Sequence, residues 1–187
     1  TATMKKGGGL AVDISGATVA DGGPSPWVTP LAVDGQGRLD GTRARFDIRL
    51  SHGGEAIVVI DGRHDVASAE GGADVHLGPL AFVPGGPQPA NLAPPLAVIK
   101  AVGGSVAGDA KIGWADDTVD GTVLLRFEDL SFSTDTATVE GLSGTIGLDG
   151  LDPPTATAAR TLRARRIVGV VPIEAPLLRF RVDGVDG

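Results

Sequence analysis

Over residues 121–151 the chain reads GTVLLRFEDLSFSTDTATVEGLSGTIGLDGL, and it does not suit a helix. Gly141, Gly144, Gly147 and Gly150 fall at every third position, and each would weaken a helix by about 1 kcal/mol relative to Ala. Val123, Leu125 and Phe127 alternate instead with Leu124, Arg126 and Glu128, the two-residue period of a strand that buries one face. The pattern restarts at Leu130 and Phe132, pauses at Ser133-Thr134-Asp135 and resumes through Val139. A third run over 143–148 puts Ile146 and Leu148 on one side and Gly147 on the other. The stretch predicts antiparallel strands that run up, turn and run back.

The same grammar extends along the chain. Leu10, Val12 and Ile14 begin a first strand over 10–19, broken by Ser15-Gly16, and a Gly/Pro loop follows over 21–26. Trp27, Val28, Leu31 and Val33 resume in extended form, and Asp34-Gly35-Gln36-Gly37 reads as a turn. Over 42–50, Ala44, Phe46, Ile48 and Leu50 alternate with Arg43, Arg45, Asp47 and Arg49, giving one apolar and one charged face. A strand over 55–60 is closed by Asp61-Gly62, and a run from Val75 to Phe82 is bent by Gly78-Pro79.

The one helix expected lies over 94–102. Proline fits its first turn, Leu92, Leu96, Ile99 and Val102 fall on one stripe, and Gly103-Gly104 can end it. Strands over 105–114 and 118–127 form a hairpin around Asp116-Asp117. Strands over 161–171 and 177–182 close the chain, with Leu178, Phe180 and Val182 alternating against Arg179 and Arg181. The fold class is all-β, an antiparallel meander with one short helix, in a single domain over residues 1–187. A chain that opens on Thr1 and closes on Val185-Asp186-Gly187 reads as a segment excised from a longer protein.

Chemistry is harder to find than architecture. The net charge of −7 argues against a polyanionic partner, so nucleic acid is not expected. There is no cysteine, which removes disulfides and thiolate catalysis, and no apolar run approaches the roughly 18 residues that span a bilayer. His52, His64 and His76 stand twelve residues apart, but a shared metal would need three matched strand registers, so no metal site is expected. Gly141-Leu142-Ser143-Gly144 lacks the second glycine of a nucleophile elbow, since Thr145 stands there, and strand residues follow it where a helix is needed. Asp116, Asp117 and Asp120, and likewise Asp149 and Asp152, accompany glycine as turn residues do and lack EF-hand spacing. Arg160, Arg163, Arg165 and Arg166 read as the wet face of a strand. No catalytic residue and no cofactor is expected.

What remains is a set of strands with an aliphatic stripe opposite a charged face, and only one short helix to cover them. Either two such sheets cover each other, or one curved sheet offers its apolar face to a greasy ligand; periodicity does not choose.

The residues LRFEDLSFSTDTATVEGLSGTIGLDGLDPP resemble the C-terminal region of the YdbH-like proteins of Gram-negative bacteria, with the best likeness over residues 100–183. These belong to the AsmA-like group that includes the TamB relatives. The resemblance implies the second arrangement: a curved, groove-like sheet in the periplasm that conducts phospholipid between inner and outer membranes without catalysis. It implies acyl chains as ligand, the preceding part of the same chain as neighbour, and a small outer-membrane lipoprotein added to the strand edge at 177–182. Phe46, Ile48, Leu125, Phe127, Leu178 and Phe180 are then the groove-lining residues, with Arg45, Asp47, Arg126, Arg179 and Arg181 facing water. The alternative is a structural or adhesive β-module with a closed core and no ligand.

Overall fold

A computed structural model describes residues 2–4, 9–151 and 154–182, with side chains over 9–151, 155–156 and 161–179. The chain is a meander. Strands β1 (Ala2–Met4), β2 (Leu10–Val19), β3 (Leu31–Asp40), β4 (Arg43–His52), β5 (Glu55–Asp65), β6 (Glu70–Phe82), β7 (Lys100–Ala115), β8 (Thr118–Ser133) and β9 (Thr138–Leu148) each pair with the next in sequence, always antiparallel. The short β10 (Gly150–Leu151) leads into β11 (Pro154–Arg163), which with β12 (Arg166–Val168) continues the pairing along β9. Next, β13 (Ile173–Glu174) and β14 (Leu177–Val182) run back along β12 and β11. The sheet is long, open and curved, and it does not close into a barrel.

Its two ends differ. At one end the turns are short: Asp40-Gly41-Thr42, residues 66–69 and Asp116-Asp117. Gly41 (φ 61°) and Asp116 (φ 51°) supply the left-handed backbone that tight hairpins demand. At the other end lie the long connections, residues 20–30 and 83–99. These two loops hold each other, because the Thr29 amide donates to the Leu92 carbonyl at 2.9 Å and its hydroxyl to the Asn91 carbonyl at 2.9 Å. Gln88 ties the longer loop to the sheet: its Oε1 accepts from the Val102 amide at 2.7 Å, and its Nε2 donates to the Val83 carbonyl at 3.2 Å.

Three expectations are corrected. No α-helix forms over 94–102. Pro94–Val98 is a single 3₁₀ turn, and strand pairing begins at Lys100, which opposes Ser133. Pro94 and Pro95 have no amide to donate, and Val102, the last member of the supposed stripe, is a fully buried strand residue.

Asp34-Gly35-Gln36-Gly37 is not a turn but the interior of β3. A Cβ on Gly35 would stand 2.7 Å from the Asp47 carbonyl oxygen on β4, so glycine permits close approach of two backbones there. Asp61-Gly62 likewise does not end its strand, since β5 runs on to Asp65. The Phe46 ring fills the space a Gly62 Cβ would need.

The buried core lies at the loop end. Phe82, Val102, Leu130, Leu142, Leu162 and Ala164 are buried together, with Ile99, Val106, Phe132 and Val139 packed against them. The register shows why the core sits there. Pairing shifts between Ile14 and Ala17, Leu50 and Ser51, Leu77 and Leu80, Gly103 and Ser105, and Phe127 and Leu130. These irregularities run obliquely across the sheet, moving towards the loop end from β2 to β9, and bulges bend the strands that carry them. Beyond that line β6–β9 bury their apolar side chains; before it they leave them half-exposed.

Candidate functional site

Cross-strand register assembles the apolar stripes into continuous rows. From the hairpin end, the first row is Leu10–Leu39–Ala44–His64–Gly71–Trp114–Val119, and the second is Val12–Gly37–Phe46–Gly62–Ala73–Ile112–Gly121. The third is Ile14–Gly35–Ile48–Ile60–Val75–Ala110–Val123–Leu148. The fourth is Ala17–Val33–Leu50–Val58–Leu77–Gly108–Leu125–Ile146. On the loop side of the fourth row, Val106, Phe127, Gly144, Leu162 and Leu178 form a fifth. Residues two apart on a strand share a face, so all five rows lie on one side of the sheet.

Phe46, Ile48, Leu125, Phe127 and Leu178 therefore come together on one face, while Arg45, Asp47, Arg126 and Arg179 alternate with them and are exposed. The side chains of Phe180 and Arg181, like that of Arg160, lie outside the described residues, as does Asp152.

Glycine shapes the apolar face. Trp114 lies over Gly71 and Phe46 over Gly62, and Leu125 Cδ2 would stand 2.8 Å from a Gly108 Cβ. Each large side chain lies flat over a neighbouring strand that offers no side chain of its own. The face is consequently smooth and shallow.

Among the described residues no second sheet and no α-helix packs over these rows. Their apolar side chains are half-exposed across β2–β8, reaching 40% for Ile14 and 52% for Val119. A recess of about 1030 Å³ adjoins the rows at the loop end, lined by Ile57, Leu80, Phe82 and Leu92 with His52 and Gln88.

The opposite face is electrostatic. Asp109 accepts from Arg126 Nη1 at 2.6 Å and contacts His76 Nδ1 at 2.7 Å, and Lys111 stands 3.6 Å from Asp74. The hydrogen bonds from His76 and then Arg126 hold the Asp109 carboxyl below the usual carboxylate range. Asp61, opposite Asp47 and Asp74 on its neighbouring strands, is pushed the other way, chiefly by its hydrogen bond with Asp47. These are exposed pairs that contribute little to stability. They hold this face in water.

The three histidines part company: His64 belongs to the apolar face, His76 to the charged face, and His52 to the loop-end recess. The serine and aspartate motifs have structural employment. Ser143 Oγ accepts from the Asp129 amide at the bulge, at 3.0 Å, and Asp120 accepts from the Gly121 amide at 2.7 Å. Sequence reasoning missed the His64–Trp114 pair, in which the indole Nε1 donates to His64 Nδ1 at 3.1 Å. The two are fifty residues apart, and only the register of three strands brings them together.

Arranged this way, the face has the shape and polarity to hold extended apolar molecules. No helix among the described residues is long and apolar enough to cross a membrane. The YdbH-like family model, described as intermembrane phospholipid transport protein YdbH, matches residues 5–184. No curated protein and no solved structure matches the chain.

Proposed function

The chain belongs to the YdbH-like family of intermembrane phospholipid transport proteins, and on that premise we propose that the apolar face of its sheet is the lipid path. Phospholipid acyl chains lie against Phe46, Ile48, Leu125, Phe127 and Leu178, and against Phe180, while the headgroups stay in water. The work is done in the periplasm, between the inner and outer membranes of a Gram-negative envelope, and no bond is made or broken. One observation carries the reading: four rows of mainly apolar side chains stay half-exposed across β2–β8, where a closed domain would cover them.

The energetics suit transport. Each CH₂ left in water costs about 0.8 kcal/mol, so a lipid leaving the face pays heavily. A lipid shifting from the apolar side chains of one strand to those of the next exchanges like for like. The sheet is smooth enough, because of its glycines, that no ridge arrests the movement. The structural module with a closed core is not favoured, since the buried cluster is confined to the loop end.

A photo-crosslinking amino acid placed singly at Leu125 or at Arg126, in cells with labelled phospholipid, tests the proposal. Labelled lipid is expected at Leu125 and not at Arg126. No labelling at either site of a folded protein would restore the closed module, and equal labelling would mean nonspecific contact.

The other part of the proposal concerns partners. Among the described residues β14 is paired on one side only, by β11, and an open edge templates strand addition. We place a small outer-membrane lipoprotein there. Proline at Leu178 and at Arg179 aims the lost amide to opposite sides, so of these two variants the one that keeps the fold should lose that partner. Capture by both would exclude the edge.

A further inference from the structure

Within the first four rows of the apolar face, the only groups able to make a hydrogen bond through a side chain are His64 and Trp114, and both lie at the hairpin rim. His64 is one residue from the end of β5, and Trp114 one residue from the end of β7. They face each other across Gly71, with ring centroids 6.1 Å apart and planes inclined by 32°.

The direction of their bond fixes the chemistry of what remains. An indole Nε1–H is only ever a donor. His64 Nδ1, 3.1 Å away, must therefore be an acceptor, and the neutral imidazole carries its proton on Nε2. That Nε2–H has no partner among the described residues. It is a single donor standing at the margin of an apolar surface.

We propose that His64, oriented by Trp114, donates a hydrogen bond from Nε2 to an acceptor oxygen at the glycerol–phosphate junction of a bound phospholipid. The hairpin rim is then the headgroup side of the path. The inference rests on the lipid-groove reading above and adds to it a direction: acyl chains lie along the strands, glycerol at the hairpin turns and methyl ends towards the bulge line.

Four observations support this direction. When a chain covers the first row and displaces water, the Nε2–H needs an acceptor, because a buried donor left unpaired is penalised. Ester carbonyls and phosphate oxygens are acceptors without competing protons, whereas the acyl chain offers none. At the opposite end the strands β6–β9 run into a buried apolar core, which suits methyl ends. The dimensions also agree. The first four rows span Ala44 to Leu50 on β4, about 20 Å at roughly 3.3 Å per residue. One leaflet of hydrocarbon is about 15 Å thick. Tryptophan at the boundary between apolar and wet is where its amphipathic ring fits best.

The chain has two tryptophans, and the other, Trp27, is 73% exposed in the 20–30 loop. The full chain carrying Trp27→Phe thus reports from Trp114 alone. Its fluorescence is titrated with phosphatidylcholine bearing a nitroxide on the acyl chain, either next to the glycerol or near the methyl end. Stronger quenching by the glycerol-proximal label is expected. His64→Phe should weaken binding by about fivefold, the scale of one hydrogen bond, and His64→Gln, which keeps an N–H donor, should restore most of it. Equal or stronger quenching by the methyl-end label overturns the direction while leaving the groove in place. Unchanged binding in His64→Phe overturns the hydrogen bond. Quenching by neither label overturns the groove reading itself, and this inference with it.

Discussion

The ring of Phe46 on β4 lies over Gly62 on β5, in the space where any other residue would carry its Cβ. Gly37 is the partner of Phe46 on β3, so the ring is flanked by glycine on both sides. An aromatic laid across a bare neighbouring strand gains contact area without projecting from the sheet.

Gly62→Ala should therefore destabilise the domain by about 1–3 kcal/mol, the range of overpacking. Denaturant titration measures it. Combining it with Phe46→Leu should recover part of the loss, as expected for residues in contact. A neutral Gly62→Ala would show that the ring moves aside freely.

Substitution should separate stability from ligand binding along one face. Val102 is fully buried, and Val102→Asp should abolish folding by burying an unpaired charge. Ile48→Ser, in the half-exposed third row, should leave the melting temperature within a few degrees yet reduce bound phospholipid, read by mass spectrometry of the purified protein. If both variants unfold, the third row is also core.

The acidic row on the opposite face predicts a pH signature. The folded-state pKa of Asp61 is raised, first by its hydrogen bond with Asp47. A carboxyl raised in the folded state adds stability at low pH, and that contribution is lost as pH rises through the folded value. Asp61→Asn should then raise the melting temperature slightly at neutral pH. The gain should vanish below the unfolded carboxylate pKa of about 3.9.

Asp109 predicts the reverse. Its pKa is lowered by His76 and then Arg126, so its contribution is present above the unfolded pKa and fades as pH falls through the folded value. Arg126→Gln should lower the melting temperature modestly at pH 7, and the difference should shrink as pH falls below the unfolded aspartate pKa of about 3.9 and through the lowered folded value. A melting-temperature difference that persists at acid pH would assign the effect to lost packing of the Arg126 stem.

The strands and their two faces were readable because the side-chain period alone determines them: Ala44 to Leu50 alternates without exception. Glycine was misread for a physical reason. Gly35, Gly37 and Gly62 look like turn residues in one strand, and only the partner strand reveals that a Phe or a close backbone occupies the vacant position. The 94–102 segment misled because Leu92, Leu96, Ile99 and Val102 satisfy helical spacing, whereas Pro94-Pro95 and the demand of β8 for a partner decide the outcome. Whether the apolar face is covered could not be read at all, since alternation names a face but not its neighbour. The His64–Trp114 bond lay equally beyond reach, being a property of three registers.

The strand order carries a further consequence. Because each strand, apart from the split pairing around β9 and β11, rests on the one before it and the one after it, the architecture has no fixed number of parts. One more hairpin inserted at any short turn would add two strands, roughly 10 Å at about 4.8 Å each, without disturbing the pairing on either side. The span of such a molecule is a quantity that heredity can adjust in steps, and a conduit that must match the gap between two membranes can be lengthened or shortened without being redesigned.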